Sequence, residues 1–327
     1  MEDYTAKTYV ANGKEEYIFG IPGYGGSFAI HESQAFTLGL LRMLYLDMDP
    51  VRAIAEKTEQ ACRNLVRTKD EFYADEVQRY LDQLAESHVY FWVTKLDWSR
   101  RLKLARQNNY AFKYGRLVRD YLPQGKFNEM PDRIAKLQRL GLALIEDVMD
   151  IDRTGDRFQE RLRDYYLRTR NDSQNVFRFH PCRINYELVD STQFIEVLYP
   201  ETVYDFIDFH LRLCLQQEMR ARRCKNCGRW FIITTKSTAE YCDVTLDERG
   251  HTCKQRGAIK RWVRSKSVDP VFLEYRREYK RRFAWIRAGA ISDTAFYAWS
   301  AAARKMKAAC EAGEISFEEF RAWLARP

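Results

Sequence analysis

The chain has 327 residues, 46% of them hydrophobic and 31% charged, enough for about two domains at the usual ~100–200 residues each, and this composition excludes disorder and collagen. Its longest apolar stretches, such as residues 36–46, are interrupted by charge (Arg42) well short of the ~20 residues of a membrane span, so no membrane partner is expected. Net charge is +8, but residues 220–287 hold 19 Lys and Arg against 7 Asp and Glu, a local excess of +12 that leaves −4 on the rest of the chain.

Only 15 Gly and 8 Pro punctuate a sequence rich in Lys, Arg, Glu and Leu, which predicts a mainly α fold. We expect a helical N-terminal domain, a small four-cysteine zinc-ribbon-like module and C-terminal helices. Residues 1–33 form an N-terminal segment with the glycine-rich run Gly20-Ile21-Pro22-Gly23-Tyr24-Gly25-Gly26-Ser27. A phosphate-binding loop needs Gly-Lys-Ser/Thr opening a helix. Phe28-Ala29-Ile30-His31 follows instead, so the run reads as a turn. Residues 34–219 make up the helical domain. Apolar side chains spaced three and four apart to about residue 106 (Phe36, Leu40, Leu41, Leu44, then Leu65, Phe72, Val77, Tyr80, Leu84) predict two or three helices, one starting at Asp49-Pro50. The aromatic residues 89–98 read as helix, and Met130-Pro131 opens another that runs to Val148.

Asp150-Ile151-Asp152-Arg153-Thr154-Gly155-Asp156 resembles the first half of a calcium loop. Its twelfth position is Arg161 where a bidentate glutamate is required, so a turn capped by Thr154 is expected. Residues 176–189 alternate and predict two short strands around His180-Pro181, and residues 192–219 predict a helix leading straight into the cysteine cluster. His31, His88, His180 and His210 stand isolated and read as structural. The cysteine module with its basic helix spans 220–266 and a helical tail spans 267–327. Helices are predicted at about 253–266, 270–288 and 292–312, with a short last one. Ser316 and Glu319 form a capping box, Ile315 and Phe320 a staple around it, and Gly313 closes the preceding helix; Ser292, Ile291 and Phe296 repeat the staple spacing.

Four of the eight cysteines fall within 30 residues, at Cys224, Cys227, Cys242 and Cys253. The N-terminus, Met1-Glu2-Asp3-Tyr4-Thr5, lacks the basic start and apolar run of a signal peptide, so a reducing, cytoplasmic location is expected and clustered thiols point to a metal. Two thiolates two residues apart bind one ion at ~2.3 Å only if the backbone turns tightly between them, and Gly228 permits the conformation in which that turn ends. Four thiolates close a tetrahedral shell, so the cofactor implied is a structural Zn2+ and not a catalytic one. His251, two residues before Cys253, is an alternative ligand, and a redox Cys-x2-Cys pair is the other alternative, although it lacks the βαβ context of such pairs.

The run Cys224-x2-Cys227-Gly228-x2-Phe231, Tyr241-Cys242 and Cys253-x2-Arg256 with Lys260 beyond resembles the CGNR-type zinc finger of bacterial proteins taken to be transcription regulators. It resembles more closely an uncharacterised bacterial domain-of-unknown-function family with this knuckle and a helical C-terminal tail. After the last cysteine the chain reads Cys253-Lys254-Gln255-Arg256, keeping only the cysteine and arginine of the name sequence. The resemblance implies DNA binding.

Lys254, Arg256, Lys260, Arg261 and Arg264 recur at helical spacing after the last ligand, with Ile259 and Trp262 on another face. A basic helix anchored by a metal ligand can contact phosphates in fixed register, so a nucleic-acid partner is expected. Tyr275-Arg276-Arg277-Glu278-Tyr279-Lys280-Arg281-Arg282 would add phosphate contacts, while Trp230 and Tyr241 either stack on bases or are buried at the knuckle. The alternative is a protein-interaction or scaffold role, and the N-terminal helical domain is left for regulation, a ligand or a protein partner. No serine, histidine and carboxylate constellation, paired-carboxylate motif or dinucleotide fingerprint stands out, so an enzyme is not expected.

Overall fold

The structure is a computed structural model that describes residues 5–23, 26–107, 125–153, 157–168, 175–189, 192–234, 238–244, 250–257, 259, 263 and 269–326. Helix predominates, as expected, but there is also a five-stranded antiparallel sheet that the helical periodicity does not announce. It is built from β1 (Thr5–Ala11), β2 (Lys14–Gly23), β3 (Gly26–Ala35), β4 (Ile184–Val189) and β5 (Gln193–Leu198) in the order β3-β2-β1-β5-β4. The N-terminal segment is therefore three strands. The glycine-rich run falls at the end of β2 and the start of β3, where Gly23 pairs with Gly26; Tyr24 and Gly25, at the predicted turn, lie outside the described residues. Strand β5 replaces the first part of the helix predicted from residue 192 and pairs Val197 with Tyr9 of β1. Where two short strands were predicted around His180-Pro181, one forms, β4, after Pro181.

Helices α1 (Leu38–Leu44), α2 (Met48–Thr68), α3 (Glu71–Ser87) and α4 (Trp92–Gln107) follow the sheet, the last after a 3-10 turn at Val89–Phe91. The side chain of Asp47 accepts from the N–H of Asp49 at 3.0 Å, so α2 begins one residue before the predicted Asp49-Pro50 and Pro50 falls in its first turn. Helix α5 (Lys126–Leu144) starts four residues before Met130 and carries Pro131 inside, then widens into a π-turn at Ile145–Met149. The Asp150 carboxylate accepts from the Asp152 N–H at 3.0 Å and Asp152 takes a bidentate ion pair from Arg222, so these two carboxylates of the calcium-loop-like run are engaged; Thr154 lies outside the described residues. Helices α6 (Phe158–Arg168) and α7 (Val203–Gln216) follow, α7 opening after Pro200 with a capping box of Thr202 and Asp205.

Strand β2 turns Glu15, Tyr17 and Phe19 inward, and each is fully buried. Burying a carboxylate is costly unless every lone pair is met. Glu15 accepts from the N–H of Thr37 (2.8 Å) and of Gly39 (2.9 Å), from the Tyr17 hydroxyl (2.7 Å) and from Gln34 (3.1 Å). His210 of α7, also fully buried, puts Nε2 3.7 Å from Glu15 while its Nδ1 donates to the Phe206 carbonyl at 2.8 Å. A β carbon on Gly39 would come within 3.0 Å of Tyr17, Gln34 and Glu15, so only glycine lets the helix approach so closely.

The chain divides into two compact units, one of residues 1–223 with 229–239 and the other of residues 224–228 with 240–327. The second holds α8 (Pro270–Arg287), α9 (Asp293–Glu311) and α10 (Phe317–Leu324), packed around Ala303, Phe320 and Leu324. The ends form as predicted. Ser292 caps α9, Ser316 and Glu319 make the capping box of α10, and Gly313 takes a left-handed φ of 78° between them. Arg282, expected to face phosphates, is instead buried. It pairs with Glu278 at 3.0 Å and donates to the carbonyls of Leu324 and Arg326 at the end of α10.

Candidate metal centre

Strands β6 (Arg220–Arg223) and β7 (Trp230–Ile233) pair antiparallel, and the chain joining them carries Cys224 and Cys227. A strand therefore precedes the knuckle in place of the predicted helix. The Gly228 N–H donates to the Cys224 carbonyl at 2.8 Å and Gly228 adopts a φ of 73°, the left-handed turn that the Cys-x2-Cys-Gly spacing requires. The second ligand pair is tied by its own backbone. The N–H of Cys253 donates to Val244 and that of Lys254 to Cys242, both at 3.1 Å, while the N–H of Lys225 donates to Glu240 at 3.0 Å and links the two segments.

These constraints bring the sulfurs of Cys224, Cys227, Cys242 and Cys253 within 4.8 Å of one another. The Sγ atoms of Cys227 and Cys242 lie 3.8 Å apart. A tetrahedron with ~2.3 Å metal–sulfur bonds has edges of about 3.8 Å, whereas a disulfide needs ~2.05 Å, so the spacing suits one shared ion, and none of the four cysteines forms a disulfide. Donors point at the sulfurs: the N–H of Cys242 at Cys224 (3.4 Å) and the amide of Asn226 at Cys253 (3.5 Å). Burial raises the Cys224 thiol, but the N–H groups of Cys242, Cys227 and Asn226 outweigh it and bring it down to about 7. Burial and the neighbouring sulfurs push Cys242 the other way. Four close sulfurs cannot all ionise without a cation among them, so the donor set and its surroundings fit a structural metal. His251 is exposed and does not join the group.

The cationic residues predicted beside the centre divide by position. A helical turn runs from Cys253 to Gly257 and exposes Lys254 and Arg256, with Lys254 3.7 Å from Asp243. Lys260, Arg261 and Arg264 lie outside the described residues. On α8, Arg276, Arg277, Lys280 and Arg281 are exposed, Arg277 paired with Glu274 and Arg281 with Glu278. Neither predicted ring is presented as a stacking platform. Trp230 is buried under the guanidinium of Arg223, 4.9 Å from its centroid, and Tyr241 packs against Gly257.

A second grouping, of His180, Cys182 and Asp205, was not foreseen, because His180 was read as isolated. Its signal is present but weak, a His-x-Cys step before β4 and Asp205, Asp208 and Arg212 on one face of α7. Burial, followed by the nearby Asp208 and Asp205 carboxylates, raises the Cys182 thiol to about 12.

Residues 173–325 match the model of a family described as a family of unknown function (DUF6076), which takes in the four cysteines and α8–α10. The expected likeness to a family of unknown function is thus found over these residues, and no zinc-finger family is identified. A search of curated proteins finds no match, and neither does a search of solved structures. Neither the family description nor the grouped residues point to a catalytic reaction. No helix among the described residues is long and apolar enough to cross a membrane.

Proposed function

We propose that the four cysteines hold Zn2+ and that the module so formed binds nucleic acid, DNA by its resemblance to the CGNR-type finger, through cationic side chains set in register by the metal. The observation that carries this is the position of Lys254 and Arg256, exposed on the turn that starts at the ligand Cys253. An ion that fixes Cys253 also fixes where those charges point, and such positioning is what phosphate contacts supply. The exposed Arg276, Arg277, Lys280 and Arg281 recur four apart in two pairs and share one face of α8. Arg276 and Lys280 make no ion pair among the described residues, so their charge is available to an anion. A regulatory role for residues 1–219 accompanies this reading.

Exposed Ile259 (60%) and Val263 (52%) within the basic stretch favour a second reading, docking of an acidic protein partner.

Salt-titrated binding of the full-length protein to a labelled duplex DNA tests the choice. Each neutralised phosphate adds about −0.9 to the log–log salt slope, so a Lys254→Glu/Arg256→Glu variant is expected to lose at least ten-fold in affinity and to flatten the slope by about two. Unchanged affinity rejects the nucleic-acid reading.

A further inference from the structure

Among the described residues a second group of donors, His180 Nε2, Cys182 Sγ and Asp205 Oδ1, lies within 4.8 Å of one another. His180 Nε2 lies 2.8 Å from Asp205 Oδ1 and 3.9 Å from Cys182 Sγ. We propose that these three atoms bind a borderline divalent transition metal, Zn2+ or Co2+, and leave one coordination position open.

Three observations carry the proposal. First, the ring is held from behind. His180 Nδ1 lies 3.0 Å from Asp208 Oδ2, whose side chain is 1% exposed and is itself fixed by the His180 N–H (2.8 Å) and Arg212 (2.6 Å). A carboxylate on Nδ1 sets the tautomer that offers Nε2 to a metal and orients the ring toward it. Second, Asp205 Oδ1 is hydrogen-bonded to His180 Nε2, and a metal between the two would take the place of that shared proton. Asp205 Oδ2 is occupied by the N–H groups of Glu201 (2.8 Å) and Thr202 (2.7 Å), so the helix cap locks the carboxylate while Oδ1 points at the imidazole. Third, the charges balance. Asp205 and Asp208 against Arg212 leave one negative charge, and loss of the Cys182 proton on ligation makes two, which a dication neutralises.

The fit is close. Tetrahedral bonds of ~2.0–2.1 Å to nitrogen and oxygen and ~2.3 Å to sulfur place N and O about 3.4 Å apart and N and S about 3.6 Å apart, so the present 2.8 Å N–O distance opens by about 0.6 Å and the 3.9 Å N–S distance closes by about 0.3 Å. Nitrogen and thiolate donors select against Mg2+ and Ca2+. The same geometry argues against a Cys–His nucleophile pair, because both ring nitrogens face carboxylates and the thiol lies farther from Nε2 than Asp205 does. With the His180 side chain 42% exposed, the fourth position opens to solvent, as in sites that exchange a water for another ligand.

Zn2+ content of the full-length protein, measured by elemental analysis after zinc loading and gel filtration, tests this. Two ions per chain are expected in the unaltered protein, falling to one in Cys182→Ser and in His180→Ala. Cys242→Ser also retains one, held at His180. Titration with Co2+ separates the sites, since a one-thiolate site gives weaker sulfur-to-metal charge-transfer bands than a four-thiolate site, and the weaker set disappears in Cys182→Ser. One ion in the unaltered protein that Cys242→Ser removes, or two retained in both Cys182→Ser and His180→Ala, overturns the proposal. Where a variant fails to fold, the Co2+ spectrum of the unaltered protein still tests the proposal, and absence of the one-thiolate band set overturns it.

Discussion

The ring of Tyr241 lies against Gly257, so the residue before one sulfur ligand touches the residue four past another. A methyl group at Gly257 would come within 3.0 Å of three carbons of that ring. Gly257→Ala is therefore expected to cost about 1–3 kcal/mol by overpacking, read as at least a ten-fold loss of metal affinity in competition with a chromophoric chelator. Adding Tyr241→Ala removes the clash and should restore much of the loss. Equal affinities for Gly257→Ala and the unaltered chain would show that the contact does not brace the centre.

Removal of the ion should have a larger effect. Structural zinc supplies on the order of 10–16 kcal/mol to small modules, and in residues 224–228, 240–244 and 250–257 the buried hydrophobic side chains are the ligands Cys224, Cys242 and Cys253. Cys242→Ser, or a strong chelator, is expected to make this segment the first site of limited proteolysis, whereas Cys310→Ser leaves the digestion pattern unchanged. Mass spectrometry of the fragments locates the cut.

Acid should destabilise the first unit through His88. Its Nε2 donates to the Gly39 carbonyl at 3.0 Å and its Nδ1 accepts the Tyr90 N–H at 3.1 Å, so the neutral ring satisfies both neighbours and a second proton would meet a donor. Burial, with Arg42 and His210 adding repulsion against the hydrogen bond to Gly39, depresses this histidine to about 3. The folded state then binds fewer protons than the unfolded state between about pH 6.5 and 3. Stability is complete above pH 6.5 and falls by up to ~1.4 kcal/mol per pH unit below it. Denaturant melts across this range should show a shallower acid limb in His88→Gln than in the unaltered protein.

Glu15→Ala should be far more damaging than Glu16→Ala one residue along. Loss of the Glu15 carboxylate strands the N–H groups of Thr37 and Gly39 and the Tyr17 hydroxyl in the core, at a cost on the order of 3–5 kcal/mol. Glu16 bonds only His31 and Ser33 on the solvent side, and its removal should cost less than about 1 kcal/mol. Equal shifts in thermal midpoint would show that the Glu15 contacts contribute nothing net.

What the sequence made legible follows from how local each signal is. The ends of α9 and α10 are set by Ser292, Ser316, Glu319 and Gly313, whose partners lie within three residues or so, and these were read correctly. The clustering of the four cysteines was legible too, since Cys-x2-Cys-Gly spacing is a property of a short segment. Strand β2 was missed because its buried face presents Glu15 and Tyr17, and polarity conceals the alternation. Strand β5 was missed because Phe194, Val197 and Leu198 satisfy helical spacing as well as they satisfy an extended chain, and only pairing with β1 decides between them. The His180 group escaped because its donors are brought together across 25 residues by the cap of α7.

The pairing of Tyr9 with Val197 also dictates an order of events during translation. Until residue 198 has left the ribosome, the inner edge of β1 has no neighbour to receive its hydrogen bonds, and Glu15 waits just as long for His210. At about 5–20 residues per second, that interval is roughly 10–40 s, during which the nascent hairpins carry an open, adhesive border.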